Sequence, residues 1–428
     1  MSKRTEIHRK IFLFLSMGLV FFMPIAQHML PPVILFMVIN WIVEGRFVRN
    51  FPFIFREKKR LLIFSLSFLY LLYLIGMVWS DNYSYGWFDL EVKFSLLLFP
   101  LIFSTLDEQS TDGDYRRNVL WAFLAGCFTG MLILLINAFY RYSIYHVRDV
   151  FYYTGFSDSL HAGYLSMYLV FACSVLAGFF LDDLKCRKKI IRGIIVVLSL
   201  FFFTMIFLLS SKAGLLTLLM VILLVSVYIW FRKKNWLYGF IFLLIGIALF
   251  YGFSKLLPAS TSRFAGVNKA LRENNRQAGP ARNESNADRL LVWKAALKVI
   301  IENPFTGVGT GDVKDALMLQ YVKDDATAPY QLKLNAHNQY LQTFATLGVL
   351  GLLLIMILLI QPITLSLQAK DYLYFVFLLI FAFNLLVESM FEQQAGVIFF
   401  AFFNTFFFTL AGNKKVEGIS VLNGKVKQ

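Results

Sequence analysis

The chain has 428 residues, of which 58% are hydrophobic, 17% aromatic and only 16% charged, with a formal net charge of +15 at pH 7. A soluble chain carries about 25% charge and about 45–50% apolar residues, so this composition excludes an ordinary soluble domain. The positive balance does not point to nucleic acid. The basic residues gather between apolar runs, as Arg56, Lys58, Lys59 and Arg60, as Lys185, Arg187, Lys188 and Lys189, and as Arg232, Lys233 and Lys234, where the positive-inside rule places them.

Runs such as 61–79, 193–209 and 215–231 are long enough, at about 1.5 Å per helical residue, to cross most or all of roughly 30 Å of hydrocarbon. None alternates with period two, as a barrel strand would. Helices remain, because lipid offers bare backbone groups no partner. The expected fold is all-α, a polytopic membrane protein with about twelve transmembrane helices. In chain order the spans fall near 11–27, 31–44, 61–79, 94–106, 118–140, 161–181, 193–210, 214–231, 237–253, 339–360, 372–388 and 395–411. The first resembles a secretory signal but lacks a small-x-small cleavage site before Pro31-Pro32, which predicts a retained helix. The second and fourth are short. Trp41, Trp79, Trp121, Trp230 and Trp236 fall near span ends, as interfacial anchors do.

With the basic N-terminus inside, every strongly basic short loop falls inside, together with the tail bearing Lys414 and Lys415. The short outer loops hold only Lys93, Arg141, Arg148 and Lys212. This divides the chain into helices one to nine (1–253), a long outer loop (254–337), helices ten to twelve (338–411) and a cytoplasmic tail (412–428).

The outer loop is too polar to cross the membrane. Ser285-Asn286-Ala287-Asp288 reads as a capping box. Leu290, Trp293, Leu297 and Ile300 then recur at helical spacing and predict one apolar face. Asn303-Pro304 ends that helix, a glycine turn over 307–311 follows, and a second helix is expected from Val313 to Val322. The loop reads as an amphipathic cap on the outer membrane face, with 271–281 polar. The glycine turn is not a dinucleotide fingerprint, since a helix and not a strand precedes it. Cys127, Cys173 and Cys186 share no metal-ligand spacing, so neither a disulfide framework nor a metal site is expected.

Three residues stand out on the outer side. His337 occurs where the loop re-enters the membrane as helix ten. The positive end of a helix dipole disfavours imidazolium there, leaving a base able to accept a proton. Its plain alternative is a histidine that caps the helix. Arg289, in the first turn of the loop helix, opposes the dipole, which fits an anion-gripping role as well as a solvated arginine. Lys212 occupies the tight turn Ser210-Ser211-Lys212-Ala213-Gly214 and either snorkels or binds. His161, Glu388 and Glu392 fall near outer helix ends, with His161 and Glu388 as secondary candidates. One base and two cations suit an anionic lipid-linked donor and an acceptor hydroxyl.

These motifs resemble the O-antigen ligase and O-antigen polymerase family of bacterial envelope glycosyltransferases. The resemblance is most specific over about 205–360. It rests on Ser211-Lys212-Ala213-Gly214, Arg289 with Trp293, Asn303-Pro304-Phe305-Thr306-Gly307-Val308-Gly309, His337-Asn338-Gln339-Tyr340-Leu341 and Gly348-Val349-Leu350-Gly351. Trp79-Ser80-Asp81-Asn82-Tyr83, with Glu91, Lys93 and Pro100, and Ser159-Leu160-His161-Ala162-Gly163-Tyr164 extend it. It implies a GT-C-like fold and inverting glycan transfer from undecaprenyl pyrophosphate, without cofactor or catalytic metal, on the periplasmic side of the bacterial inner membrane. It implies that His337 activates the acceptor hydroxyl and that Arg289 and Lys212 hold the donor pyrophosphate. The family's usual arginine is replaced by Lys212, which supplies charge without a planar fork. The acceptor implied first is a lipid A-core sugar. Alternatives are a polymerase joining lipid-linked repeat units and a protein-glycosylating relative. A polysaccharide or anion transporter is disfavoured by span centres almost free of charge.

Overall fold

The computed structural model describes residues 3–45, 47–48, 65–106, 113–157, 160–183, 189–233, 236–257 and 286–424. Arg56, Lys58, Lys59, Arg60, Ser159, Lys185, Cys186, Arg187, Lys188, Lys234, Ser285 and segment 271–281 lie outside the described residues. Among the described residues the fold is all-helical. In chain order the helices are α1 (Lys3–Phe22), α2 (Leu30–Glu44), α3 (Ser65–Gly76), α4 (Tyr83–Lys93), α5 (Ser95–Ser104) and α6 (Gly113–Tyr145). There follow α7 (Tyr153–Phe156), α8 (Ala162–Asp183), α9 (Lys189–Leu209), α10 (Lys212–Lys233) and α11 (Trp236–Leu256). The chain then forms α12 (Asn286–Glu302), α13 (Val313–Lys323), α14 (Thr327–Gln331), α15 (Gln339–Gln368), α16 (Tyr372–Val387) and α17 (Gln394–Gly424).

A helix occupies the place of every expected span. Among the described residues eight are long and apolar enough to cross a membrane, namely Gln27–Glu44, Asp114–Tyr145, Ala162–Leu181, Lys189–Leu209, Lys212–Phe231, Trp236–Leu256, Gln339–Gln368 and Gln394–Ala411. The chain is therefore a multi-pass membrane protein. Helices α3 and α16 are apolar but shorter. Helix α5, ten residues long, covers about 15 Å, and α1 opens on a charged stretch, KRTEIHRK.

The chain forms two compact units. The first comprises Met1–Phe47, Asp107–Phe264 and Ser366–Phe381. Here α1 packs along α2 and α6, α8 packs on α9 and α10, and α10 packs on α11. Gly126 and Gly130 bring α6 against the backbone at Phe21 and Pro24, where a Cβ would collide, the small-residue contact that membrane helices use for close approach. The Arg116 guanidinium forms a fork-on-fork pair with the Asp371 carboxylate, one arm at 2.9 Å. Asp371 also accepts from the Tyr374 amide and so caps α16. The Asp371 side chain is only 2% exposed, and stripping a buried carboxylate of its cation costs about 3–5 kcal/mol. Arg116→Met is thus expected to lower the thermal midpoint of the detergent-solubilised protein clearly. Arg116→Met with Asp371→Leu should recover most of it.

The second unit comprises Val48–Leu106, Ala265–Leu365 and Ala382–Gln428. Its long helix α15 is broken at Gly348, whose φ of 66° and ψ of −161° lie outside the helical region. The break frees carbonyls, and the glycine turn takes them. Val308 N–H donates to Ala345 O and Gly309 N–H to Thr346 O, each at 2.9 Å, while Val349 N–H donates to Pro304 O at 2.9 Å. Gly307 N–H bonds Asn303 O, Thr310 N–H bonds Gly76 O and Gly311 N–H bonds Ser80 Oγ. The amides of 307–311 are thus engaged with the chain itself, so the turn is a structural clasp and not an anion cradle. Asp312 accepts from the amides of Asp81 and Asn82. The motif around Trp79–Tyr83 is therefore tied to the same clasp.

The loop helices share a core of Val292, Ala295, Ala296, Val299, Ile300, Val313, Leu317 and Tyr321, joined by Leu334, Ala336 and Ala345. Helix α12 ends before Pro304 and α13 begins at Val313, both as expected. The apolar face is rotated from the expected one. Leu290 and Leu297 are exposed, whereas Val292, Ala295, Ala296 and Val299 are buried with Ile300. Small and β-branched residues allow α13 to pack closely, and that contact overrode the stripe of larger side chains.

Candidate functional site

His337 precedes α15 rather than capping it. Asn338 takes the capping role, its side-chain oxygen accepting from the Leu341 amide at 3.2 Å. His337 is held at a φ of 42°, the left-handed region that non-glycine residues seldom adopt and that often marks functional sites. Two bonds fix it there. Its amide donates to the Asn335 side chain at 2.9 Å, and the Ala336 amide donates to Gln342 Oε1 at 3.0 Å. The imidazole is buried, 7% exposed.

His337 Nδ1 lies 3.0 Å from Glu388 Oε1. A carboxylate only accepts, so Nδ1 carries the hydrogen of this bond and Nε2 is left as the basic nitrogen. Glu388 lies just past the C-terminus of α16, and its other oxygen stands 3.8 Å from Arg289 Nη2. Arg289 also donates to Val387 O at 2.6 Å. Imidazole, carboxylate and guanidinium therefore form one group, with Arg289 30% exposed and Glu388 13%. The arginine expected in the first turn of α12 is bound to the turn after α16 and is not simply solvated. Glu388, expected only as a secondary candidate, is the partner that orients His337. The pairing spans 51 residues and leaves no local signal, although the acids Glu388 and Glu392 directly after an apolar helix are a visible cue.

A second buried group adjoins this turn. Lys93 was expected as a topological cation of an outer loop. Instead its side chain is 0% exposed, bonded to Asp89, 3.2 Å from Glu392 Oε1 and 4.7 Å from the centre of the Tyr73 ring. Helix α4 buries Asp89 and Lys93 together with Leu90 and Val92, while Tyr83, Trp87 and Phe88 are exposed. Burial pushes the Asp89 carboxyl up to about 7. Burial alone would lower the range of the Lys93 ammonium, but Asp89 and Glu392 outweigh it and hold it above its ordinary range.

Lys212 and His161 belong to the first unit. Lys212 opens α10 after a turn in which Ser210 has a φ of 49°. Ser211 Oγ accepts from Gly214 N–H at 3.2 Å, and Gly214 lies against Ser166, where a Cβ would collide. Lys212 is half-buried. His161 is exposed, accepts from Gly163 N–H through Nδ1 at 3.2 Å and meets the Tyr153 hydroxyl through Nε2 at 3.3 Å. These bonds make it a cap for α8. Among the described residues no group of three His, Cys, Asp or Glu side chains has the geometry to hold a metal ion.

Residues 194–356 match the family model described as O-antigen ligase. No curated protein matches the chain. The matched segment runs from α9 past the Gly348 break and holds Lys212, Arg289 and His337, whereas Glu388 and Lys93 lie outside it. Over that segment the chain is similar to the O-antigen ligase family, the one its motifs resemble.

Proposed function

We propose that the chain transfers an assembled glycan from undecaprenyl pyrophosphate to a hydroxyl of a lipid A-core sugar, as an O-antigen ligase-type glycosyltransferase. The reading places about twelve GT-C-like spans in the bacterial inner membrane and residues 254–337 on the periplasmic side. The observation that carries it is the grouping of His337, Glu388 and Arg289. His337 Nε2 takes the proton of the acceptor hydroxyl while Glu388 holds the ring in its tautomer and balances the imidazolium. The acceptor oxygen bonds to the anomeric carbon from the face opposite the leaving group. The bond from that carbon to the pyrophosphate oxygen then breaks, so the configuration inverts. The carrier pyrophosphate departs with the electron pair. Arg289 stabilises its growing charge, and Lys212 is the second cation assigned to the pyrophosphate.

Deleting the gene and separating the lipid pools tests this reading. Full-length polymer should accumulate on the carrier, with bare lipid A-core beside it. Core bearing a single repeat unit would instead identify a polymerase.

A further inference from the structure

The turn that presents Glu388 is short and is held from both sides. On one side Phe391 N–H donates to Gln339 Oε1 at 2.6 Å, and Asn338 N–H approaches Ser389 Oγ at 3.3 Å. Both partners lie within two residues of His337. On the other side Glu392 receives Lys93 at 3.2 Å and the Gln339 amide at 3.5 Å. Lys93 in turn is anchored by Asp89 one helical turn earlier in α4 and by the Tyr73 ring. Tyr73 hydrogen-bonds Thr343 in the first turns of α15 at 2.9 Å, and its carbonyl accepts from Thr310 Oγ at 2.6 Å. The lysine thus joins α3, α4, the Glu388–Glu392 turn and the start of α15.

Stability alone is a poor account of this cluster. Two buried acids share one ammonium, and buried ion groups commonly give no more stability than well-packed apolar side chains. Their better-attested use is to fix one arrangement among several. Here the arrangement fixed is the segment carrying both His337 and its carboxylate.

We propose that Lys93, Asp89 and Glu392 form a positioning assembly that sets the distance between Glu388 and His337 for glycan transfer. The proposal rests on the assignment of His337 and Glu388 above. All three side chains are buried, at most 7% exposed, so their loss should lower kcat and leave the donor KM nearly unchanged.

The test uses the full chain in proteoliposomes, with undecaprenyl-pyrophosphate-linked glycan as donor and lipid A-core as acceptor. Lys93→Met leaves two buried acids facing each other and is expected to reduce the amount of folded protein. The charge-neutral variant Lys93→Met, Asp89→Asn, Glu392→Gln removes that repulsion. It should regain a wild-type thermal midpoint while its kcat stays at least tenfold low and its donor KM within twofold of wild type. A neutral variant with wild-type kcat, or one altered only in KM, would overturn the positioning role. His337→Ala, assayed in parallel, separates the two levels. If it transfers glycan normally, the site assignment fails. If it is inactive while the neutral variant is fully active, only the positioning role fails.

Discussion

His337→Ala is expected to lower kcat for glycan transfer by roughly 10²–10⁴-fold, the range supplied by a positioned general base, with the donor KM little changed. Burial, a left-handed backbone and the 3.0 Å bond to Glu388 are the reasons. A helix cap would need none of the three, and Asn338 already fills that role. Glu388→Gln should act more mildly. The amide keeps the size and one acceptor oxygen, so the ring can still be oriented, but the charge that balances an imidazolium is gone. A loss of roughly 10–100-fold is expected, the range found when the partner behind a metal-bound histidine is changed. Single-turnover rates for wild type, His337→Ala, Glu388→Gln and the double variant decide the matter. If the two residues act as one unit, the double variant will be no slower than His337→Ala. Multiplying losses would show that Glu388 acts elsewhere, through Arg289.

How far the sequence reached can be judged residue by residue. Helices stand where apolar runs and boundary charges put them, because hydrocarbon demands helices whatever the tertiary details. The loop helices were legible for local reasons, an amphipathic period and a proline stop at Pro304. The face of α12 was not, since Leu290 and Leu297 outrank Ala295 and Ala296 on any hydropathy scale. Their exposure is decided by how closely α13 approaches. Period reveals which residues share a face, and in a membrane protein it does not reveal whether that face meets lipid or protein. Of the candidate residues, His337 and Arg289 stand out in the sequence from their places at helix starts. Glu388 and Lys93 become meaningful only through contacts 51 and 299 residues distant. Charge at an outer helix end reads the same whether it is solvated or buried in a network.

Gly348→Ala is the substitution expected to damage the fold most. The backbone there has a φ of 66° and a ψ of −161°, a region essentially reserved for glycine, where a side chain costs about 1–3 kcal/mol of strain. A Cβ at that point also runs into the Phe305 carbonyl oxygen. The clasp cannot retreat, because Val308, Gly309 and Val349 N–H groups are committed to carbonyls on either side of the break. Straightening α15 would take Ala345 O and Thr346 O back into helical bonds and leave the Val308 and Gly309 amides without partners, at about 1–3 kcal/mol each. The break also matters to the chemistry, for the two turns of α15 between His337 and Gly348 hold Gln339, Gln342 and Thr343, which tie the histidine segment in place. Gly348→Ala should therefore lose thermal stability and transfer activity together. Gly18→Ala in α1 provides the control, since a Cβ there meets nothing within 4 Å, and a helical Gly to Ala change in open space should be neutral or slightly stabilising. Thermal midpoints of both variants in one detergent, with transfer rates on the same preparations, make the comparison. A Gly348→Ala protein as stable as Gly18→Ala would mean that α15 runs straight and that the glycine clasp does not hold it.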